Sequence, residues 1–411
     1  MLLLAEHEKQ VRRQAPYPGV GKSVVTDGPV VRIHAGTHGQ VDLVGPLGPD
    51  PSGPVRRQQE AFAAHGEPVE WKAYGHDDPA LTAALLDHGF TPGWQRPLLI
   101  ASVDDFRGPV PGDVHDVGID PHGDHEQARR MARTGGPHRT PLDELDADGT
   151  APYEVCVLAR RRAGQVVELG WAHQLGQTEF IEICGLVGEH TTEFLPYWIA
   201  WSPRGRYRYL GGNRPEPRFF VAEVDGPSYD VLVAAGFQEV STVRTYHWSP
   251  PDPGPRTRPV RMLIANPEYR EIWDAVYEHF SFKPSVHEFP GKVDPSPSMT
   301  WHLDVVDDDR LEAIVERGLR AAVRPGELLR FLDWQHVGFE FDPSRVGRAE
   351  YPDWPGVAYP DGDYYLNVTP DLRLGTFGHP WEDTLCVFGA DLLAVVRDDL
   401  TALLGPPIRA S

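Results

Sequence analysis

The sequence predicts an α+β protein in which two related N-terminal halves form mixed, mostly antiparallel sheets with flanking helices, followed by a separate C-terminal α+β domain. Three observations lead to this prediction. Two stretches of similar pattern, Pro79–Ser102 and Pro227–Ser249, occur in the first part of the chain. A series of strand-like segments precedes the second stretch, and a proline-rich segment at 251–261 separates both halves from the rest.

The two similar stretches each begin with a proline, continue as a short amphipathic helix that ends in Leu-x-x-x-Gly-Phe, and finish as an extended segment. Proline suits the first helical turn, and glycine suits the position just beyond the last turn. A strand-like segment precedes each copy, at 68–74 and at 218–224. We therefore predict a first unit over 1–105 and a related second unit over 106–250, with a chance match of a common helix ending as the alternative.

The second unit is expected to begin with an antiparallel meander. Segments rich in β-forming residues at 153–160, 166–174 and 178–187 alternate with turns that contain glycine. An irregular helical stretch follows at 191–210, before the strand, helix and strand of the second copy. This order predicts a mostly antiparallel sheet in the second unit.

The C-terminal domain is predicted over 262–411, after the linker at 251–261. Its helical patterns enclose a segment rich in aromatic and acidic residues. These patterns occur at 269–282, 308–323 and 391–404.

The charge of the chain limits its partners. The 411 residues carry a formal net charge of −21. An acidic surface repels phosphate backbones and anionic lipid, so we expect neither nucleic acid nor membrane as a partner, and we expect a small-molecule or peptide substrate. The oligomeric state does not follow from the sequence.

Cysteine spacing and hydropathy indicate the environment of the protein. Cys156, Cys184 and Cys386 lie far apart without C-x-x-C spacing, which argues against a disulfide framework and against a cysteine-rich zinc site. No run of about 18 apolar residues occurs, and the leucines at positions 2–4 are too few for the apolar region of a signal peptide. We expect a soluble, cytoplasmic protein.

The segment Val69–Asp77, which reads VEWKAYGHD, and the two strand–helix–Gly-Phe–strand endings resemble the GNAT superfamily of N-acetyltransferases. The resemblance covers roughly residues 15–250 and is to bacterial members in which a degenerate half precedes the cofactor-binding half. It implies an acyl-CoA-dependent N-acyltransferase that acts on a small-molecule or peptide amine, with acetyl-CoA or another acyl-CoA as the cofactor.

In that family two neighbouring strands part, the pantetheine arm of the donor fills the gap, and the pyrophosphate binds backbone N–H groups at a helix N-terminus. The family loop reads Gln/Arg-x-x-Gly-x-Gly/Ala, and this chain has no segment with that spacing; Arg208–Asn213 comes nearest but ends in asparagine. The resemblance therefore implies donor binding directly after the central strand. The implied cofactor-binding residues are Leu186, Val187, Gly188, Thr191 and Thr192.

Two features of the sequence weigh against a bound pyrophosphate. Glu193 lies near the predicted helix N-terminus, where its carboxylate competes with a phosphate. The stretch Arg204–Gly212, RGRYRYLGG, has the composition of a phosphate loop, but it lies directly before a proline-rich bend and a strand. We interpret it as a solvated strand or helix end with stacked Arg and Tyr side chains, with anion binding as the alternative.

The resemblance also implies two catalytic groups. A glutamate on the central strand removes the proton of the substrate ammonium, and Glu182 is the best match, with Glu179 and His190 next. The family often has a tyrosine as general acid on the helix before Gly-Phe; this chain has Leu232 there, and Tyr229, one turn earlier, is a substitute. The alternative for Glu182 is a solvent-facing residue of a half-buried strand.

Two motifs of the C-terminal domain, Asp-Trp-Gln-His at 333–336 and Gly-His-Pro-Trp-Glu at 378–382, resemble a bacterial domain family of unknown function over roughly 262–405. This family implies no activity. The residues suit a hydrogen-bonded network around an aromatic core, a pocket for an organic ligand or peptide, or an acid–base or metal site; no metal is assigned. The predicted pocket comprises Asp333, Trp334, His336, Asp361, Asp363, His379, Trp381 and Glu382.

Three functions follow from these features. The first is the acyltransferase, which explains the order of strands and helices and is the function we predict. The second is a catalytically inactive GNAT-like binding protein whose C-terminal domain recognises a ligand or partner, which explains the missing loop. The third is a hydrolase or metal enzyme centred on His336 and His379.

Overall fold

The computed structural model describes the chain as two compact units. The first contains Val24–Pro255 together with residues up to Pro18, and the second contains Arg256–Ser411 together with Gly19–Ser23. The described residues are 2–13, 20–116, 131, 156–189, 192–201, 215–255, 257–263, 267–285, 287–288, 290–303 and 307–411. Within these ranges, no helix is both long enough and apolar enough to cross a bilayer.

The described part of the first unit is built on a single sheet. Its strands are β1 (Ser23–Asp27), β2 (Val30–His34), β3 (Gly39–Leu43), β4 (Val69–Tyr74), β5 (Thr91–Ser102), β6 (Val114–Asp116), β7 (Cys156–Arg162), β8 (Gln165–Gln174), β9 (Phe180–Gly188), β10 (Phe219–Glu223) and β11 (Gln238–Trp248). They lie in the order β1-β2-β3-β4-β11-β5-β10-β9-β8-β7-β6. Its helices are α1 (Leu2–His7) with a π-helical turn over Glu8–Arg12, α2 (Ser52–Ala64), α3 (Pro79–Asp87), a 3-10 turn (Val103–Phe106), α4 (Leu195–Trp201) and α5 (Gly226–Ala234).

The two halves of this sheet exchange their last strands. β5 of the first half lies beside β10 of the second, and β11 of the second half lies beside β4 of the first. The exchanged strands pair with each other in a symmetric register, Thr91 with His247 and Gln238 with Ile100. Because Thr91 and Gln238 each follow a Gly-Phe pair, the structure contains the predicted repeat, but the halves share one sheet.

Each half contains a parallel strand pair whose pairing stops before the carboxyl end of a strand. β3 and β4 pair in parallel as far as Val41 and Trp71, and β9 and β10 pair as far as Ile183 and Ala222, although β9 continues to Gly188. The pairs β2–β3, β4–β11, β7–β8 and β8–β9 are antiparallel. The predicted α+β class, with mixed and mostly antiparallel pairing, is therefore confirmed, and each half has a strand end that its parallel neighbour does not pair.

Helices α2 to α5 cover one face of the sheet, and α1 packs on the opposite face against an apolar cluster that includes Leu98 and Val221. α2 and α3 pack over the first half through a core that includes Phe62, Trp71 and Leu85, and α4 and α5 pack over the second half through Trp198 and Leu232. Because side chains alternate along a strand, the neighbours of these core positions point to the opposite face. We call the polar part of this opposite face the polar face; its residues include Lys72, Glu182, Cys184 and Glu223.

The second unit is an antiparallel sheet between two helical layers. Its elements are β12 (Val260–Leu263), α6 (Pro267–His279), β13 (Ser298–His302), α7 (Asp308–Ala322), β14 (Leu329–Asp333), β15 (Gly338–Phe341), β16 (Tyr365–Val368), β17 (Gly375–His379), β18 (Thr384–Phe388), α8 (Ala390–Leu404) and β19 (Arg409–Ala410). The strands lie in the order β12-β15-β14-β16-β17-β18-β13-β19. α6 packs on one face around Phe280, and α7 and α8 pack on the other around Leu319 and Val396.

Local sequence explains where these helices begin. The Asp78 side chain accepts a hydrogen bond from Ala80 N at 2.9 Å, and Pro79 occupies the first turn of α3. Asp307 caps α7 in the same way, through Arg310 N at 3.2 Å. The predicted helices at 269–282, 308–323 and 391–404 correspond to α6, α7 and α8, with ends that differ by up to a turn.

Candidate active site

An ion pair lies at the centre of the polar face. Lys72 Nζ of β4 lies 2.6 Å from Glu223 Oε1 of β10, and an Arg96 guanidinium nitrogen lies 3.5 Å from the other oxygen of Glu223. Lys72 follows Trp71 and Glu223 follows Ala222, the last paired residues of the two parallel pairs, so both occupy equivalent positions in the two halves. Burial alone would lower the pKa of Lys72, but the Glu223 carboxylate raises it well above its ordinary value.

A thiol, an imidazole and a carboxylate lie together on the neighbouring strands β8 and β9. His173 Nδ1 lies 3.2 Å from Cys184 Sγ, and His173 Nε2 lies 3.5 Å from Glu182 Oε2. His173 and Glu182 are direct cross-strand partners in the antiparallel register. The imidazole therefore presents one nitrogen to the thiol and the other to the carboxylate.

The side chain of Cys184 is exposed to solvent and is also affected by the surrounding protein. Even so, desolvation by the surrounding protein and the carboxylates of Glu182 and Glu223 raise the pKa of Cys184 well above its ordinary value. Lys72 also interacts electrostatically with Glu182, so the ion pair and the thiol lie on the same part of the polar face.

A β-bulge places Cys184 directly after the last residue of β9 that pairs with β10. Along β8 and β9, Ala172 pairs with Ile183 and Trp171 pairs with Gly185, which leaves Cys184 as an extra residue. A Cβ atom on Gly185 would lie 2.2 Å from the Trp171 ring, so the bulge has no room for a side chain there. Ile183 is the last residue of β9 that pairs with β10, and Cys184 is the first beyond it.

The predicted cofactor-binding residues have structural contacts of their own. Leu186 and Val187 are buried at the end of β9, and the Leu186 carbonyl accepts a hydrogen bond from Ser228 Oγ of α5 at 3.3 Å. The Thr192 carbonyl accepts a hydrogen bond from the first residue of α4 at 3.2 Å. His190 and Thr191 lie outside the described residues, as does the whole of the RGRYRYLGG stretch.

Gly188, also predicted to contact the cofactor, is required by the sheet itself. Its φ is +106°, a backbone conformation that favours glycine. A Cβ atom there would lie 2.3 Å from the Val167 carbonyl oxygen of β8. The backbone of Gly188 therefore packs against the backbone of the neighbouring strand, which explains this glycine without a phosphate.

Carboxylates surround Arg160, which pairs with Glu193 just before α4. Arg160 Nε lies 2.9 Å from an Asp113 oxygen and 3.1 Å from a Glu193 oxygen, and its Nη1 lies 3.3 Å from Glu168 and 3.6 Å from Glu189. A phosphate placed here would compete with these carboxylates for Arg160, as the sequence predicts for Glu193. The described residues around α4, a helix of 7 residues, thus do not fit a pyrophosphate.

Tyr229 lies on the helical side of the sheet. Its hydroxyl donates a hydrogen bond to a Glu239 oxygen at 2.9 Å, and this bond raises the pKa of Tyr229. The ring packs against the core that contains Ile183 and Leu232, whereas Glu182 points to the polar face. The structure does not bring the two predicted catalytic residues Glu182 and Tyr229 together.

In the C-terminal unit, part of the predicted pocket forms an acidic cluster around His336. His336 Nδ1 lies 3.0 Å from an Asp333 oxygen and 3.5 Å from an Asp363 oxygen, and Asp361 accepts a hydrogen bond from the Tyr365 hydroxyl. The hydrogen bond with Asp333 raises the pKa of His336, while burial raises the pKa of Asp333 and of Asp363. These groups could exchange a proton or hold a divalent cation.

His379 belongs to a different group. Its Nδ1 accepts a hydrogen bond from Glu382 N at 3.2 Å, and its Nε2 lies 3.4 Å from the Pro290 carbonyl oxygen. The rings of Tyr364 and Trp381 pack around it, and burial lowers its pKa. Both nitrogens of His379 are thus engaged by the backbone, which supports a structural role, and the structure does not place it in the His336 cluster.

The remaining residues of the predicted pocket extend this aromatic network. The Trp334 indole N–H donates to the Tyr277 hydroxyl at 3.2 Å, and its ring meets Tyr364 edge-on. A Glu382 oxygen lies 2.9 Å from an Arg409 guanidinium nitrogen. Burial alone would raise the pKa of Glu382, but this bond lowers it.

Sequence reasoning missed several residues of the polar face. His173, Lys72 and Glu223 come from three strands and carry no local motif. His38 and His247, which lie 3.9 Å and 3.6 Å from the same Glu70 oxygen, form a further cluster that only the strand order reveals. The sequence did contain one indication of these residues. Polar and buried residues alternate along β4 and β9, and this alternation predicts that one face of a central strand is polar.

Comparison with known proteins gives a match for the C-terminal unit. Residues 263–393 match the family model described as a protein of unknown function, DUF2716. An uncharacterised protein of Bacillus subtilis (strain 168), YxiI, is 32% identical over 99 residues, which are 24% of this chain. The match spans 57% of the length of YxiI.

Several of the solved structures that are similar to the chain are described as N-acetyltransferases. A GCN5-related N-acetyltransferase from Kribbella flavida is 17% identical, with 57% of this chain and 90% of that chain covered and a TM-score of 0.37. One from Sphaerobacter thermophilus is 12% identical, with 56% and 79% covered and a TM-score of 0.35. A tandem GNAT protein from the clavulanic acid biosynthesis pathway is 13% identical, with 57% and 84% covered and a TM-score of 0.34. The chain is thus similar to GCN5-related N-acetyltransferases and, over residues 263–393, to a family of unknown function.

Proposed function

We propose that the N-terminal unit is an acyl-CoA-dependent N-acyltransferase that acts on a small-molecule or peptide amine. The observation that carries this proposal is that β9 continues to Gly188 after its last pair with β10, which ends at Glu223. This end of β9 offers a strand edge to an extended ligand, and the pantetheine arm of an acyl-CoA has the amide groups to pair with it. Cys184, the first residue of β9 beyond this pairing, lies on the polar face beside His173.

The Glu182 carboxylate suits an amine as acceptor. Glu223 is already paired with Lys72 and Arg96, whereas Glu182 faces the imidazole of His173, and the chain as a whole carries a net charge of −21. An ammonium group is drawn to such a site and must lose a proton before it attacks a thioester. Glu182 and His173, 3.5 Å apart, supply that base together.

A second candidate is a GNAT-like binding protein without catalytic activity. It is favoured by the carboxylates around Arg160, which occupy the place where the resemblance implies a pyrophosphate. It is also favoured by the hydrogen bond that Ser228 Oγ donates to the Leu186 carbonyl. This bond occupies a backbone acceptor at the end of β9 that a bound pantetheine arm would otherwise use. In this case the C-terminal unit would provide the surface that recognises a ligand or partner.

Calorimetric titration with acetyl-CoA separates the two candidates. We expect saturable binding, together with a rise in the thermal unfolding midpoint that grows with ligand concentration, because a ligand that binds the folded state stabilises it. Desulfo-CoA provides the matched control, since it keeps the phosphates and the pantetheine arm but lacks the thioester. Absence of heat and of any thermal shift at millimolar acetyl-CoA would contradict the acyltransferase and support the binding protein.

A further inference from the structure

We infer that Cys184 is a nucleophile that takes the acyl group from the thioester donor, with His173 as its base and Glu182 as the residue that orients His173. The inference deepens the proposed function and rests on it for the donor. It starts from an arrangement that neither the resemblance nor the comparisons assign. The imidazole of His173 lies between the other two groups, with Nδ1 3.2 Å from the thiol sulfur of Cys184 and Nε2 3.5 Å from a carboxylate oxygen of Glu182.

The order of the three groups determines where the imidazole proton resides. A carboxylate beside Nε2 stabilises the tautomer that carries its proton on Nε2. That tautomer leaves the lone pair of Nδ1 directed at Cys184 Sγ, where it can accept the thiol proton. A nucleophile, a base and an orienting acid in this relation form the arrangement found in thiol and hydroxyl nucleophiles on many unrelated folds.

The backbone places Cys184 at the right position for this role. The bulge makes it the extra residue between Ile183 and Gly185, and bulges redirect side chains next to active sites. It is also the first residue beyond the last β9–β10 pair, where a donor lying between the strands would bring its thioester. Cys156 and Cys386, by contrast, are 2% and 0% exposed.

The environment of Cys184 explains why it needs a base. Desolvation and the carboxylates of Glu182 and Glu223 raise its pKa, so the free thiol stays protonated at neutral pH. A thiolate is therefore formed only as His173 removes the proton during attack. This distinguishes Cys184 from a cysteine that is permanently ionised by a neighbouring cation.

The chemistry balances without any oxidant or reductant. As Cys184 Sγ bonds to the thioester carbonyl carbon, its proton passes to His173 Nδ1; the bond from that carbon to the CoA sulfur then breaks, and His173 returns the proton to the departing sulfur. The products are an acyl-Cys184 thioester and free CoA thiol. An amine then attacks the acyl carbon and gives its proton to His173, the bond to Sγ breaks, and Sγ regains a proton as the amide leaves.

The same three side chains could instead ligate a metal ion, and the geometry disfavours this. Their ligand atoms lie within 4.8 Å of one another, which is a spacing compatible with a divalent cation. However, the thiol and the carboxylate face different nitrogens of His173, and the two lone pairs of an imidazole point away from each other. One ion cannot use both nitrogens, so the arrangement suits proton transfer better.

The first test measures alkylation of the full-length protein by iodoacetamide, with peptide mapping. We expect Cys184 to react while Cys156 and Cys386 stay unmodified. The variant His173→Gln should lower the neutral-pH rate at Cys184 by about 10-fold or more, because the thiol loses its base. His302→Gln, a change at an exposed histidine of the other unit, should leave the rate unchanged.

Three outcomes of this test would overturn the inference. Cys184 could react no faster than the buried cysteines, or its rate could be unaffected by His173→Gln. Added zinc could also bind stoichiometrically by native mass spectrometry and block the alkylation, which would identify the cluster as a metal site.

The second test looks for the acyl group itself. The protein is incubated with acetyl-CoA in the absence of amine, quenched in acid, and weighed intact. We expect a mass increase of one acetyl group that maps to Cys184, is released by hydroxylamine, and is absent from Cys184→Ala. If acetyl-CoA binds and amine-dependent CoA release continues at an unchanged rate in Cys184→Ala, the inference fails while the proposed function stands; if acetyl-CoA does not bind the wild-type protein, the proposed function fails.

Discussion

Replacement of Lys72 by methionine is expected to lower the free energy of unfolding of the N-terminal unit by about 2–4 kcal/mol. The change leaves the Glu223 carboxylate, whose side chain is 10% exposed, without its partner at 2.6 Å. Arg96 remains 3.5 Å from Glu223 and limits the loss. Urea unfolding, together with hydrogen exchange of peptides from β4 and β10, measures the effect.

Two further variants test the cause of this loss. Lys72→Met combined with Glu223→Gln should recover part of the stability, because no buried charge is left unpaired. Lys9→Met removes the same charge from a side chain that is 74% exposed, and it should change the unfolding free energy by less than about 0.5 kcal/mol. Equal effects of Lys72→Met and Lys9→Met would show that the central pair contributes nothing specific.

Replacement of Gly188 by alanine is expected to lower the unfolding free energy by about 2–4 kcal/mol, from a strained backbone together with overpacking. The alanine Cβ would meet the Val167 carbonyl oxygen at 2.3 Å, and that atom belongs to the backbone of β8 and cannot rotate away. The loss should appear in the absence of any ligand, in urea unfolding monitored by circular dichroism.

Gly176 provides the matched control for Gly188. Its φ is +48°, and a Cβ there would have nothing within 4 Å, so Gly176→Ala should cost only the strain of the left-handed backbone, about 1 kcal/mol. Similar losses at the two positions would argue that contact with Val167 is unimportant. If Gly188→Ala instead left the stability unchanged and weakened the binding of acetyl-CoA, the result would support the predicted role of Gly188 in cofactor binding.

Local patterns made most of the elements of the fold predictable. The Pro-started helices that end in Gly-Phe correspond to α3 and α5, and the strand predicted at 68–74 corresponds to β4. The exchange of β5 and β11 was not predictable in this way. A strand that follows its helix has the same alternation of residues whether it returns to its own half or crosses to the other, because the pattern records only which face is buried.

The candidate site was predictable only in part, because its residues come together through strand order and register. Glu182 was identified because a glutamate on a central strand is the expected base, and the structure gives it a partner in His173. That partner, and the ion pair of Lys72 with Glu223 across 151 residues, depend on register and strand order. Cys184 lies close to His173 because of the β-bulge as well, and no local sequence motif predicts that bulge.

The central claim is that the polar face transfers an acyl group to an amine. Its most direct measurement is the release of CoA thiol from acetyl-CoA, followed with and without a panel of small cationic amines. We predict release that depends on an amine and falls by about 100-fold or more in Glu182→Gln, with Glu60→Gln on the exposed surface of α2 as the unchanged control. Release that no amine stimulates, or that is equal in both variants, would contradict the account.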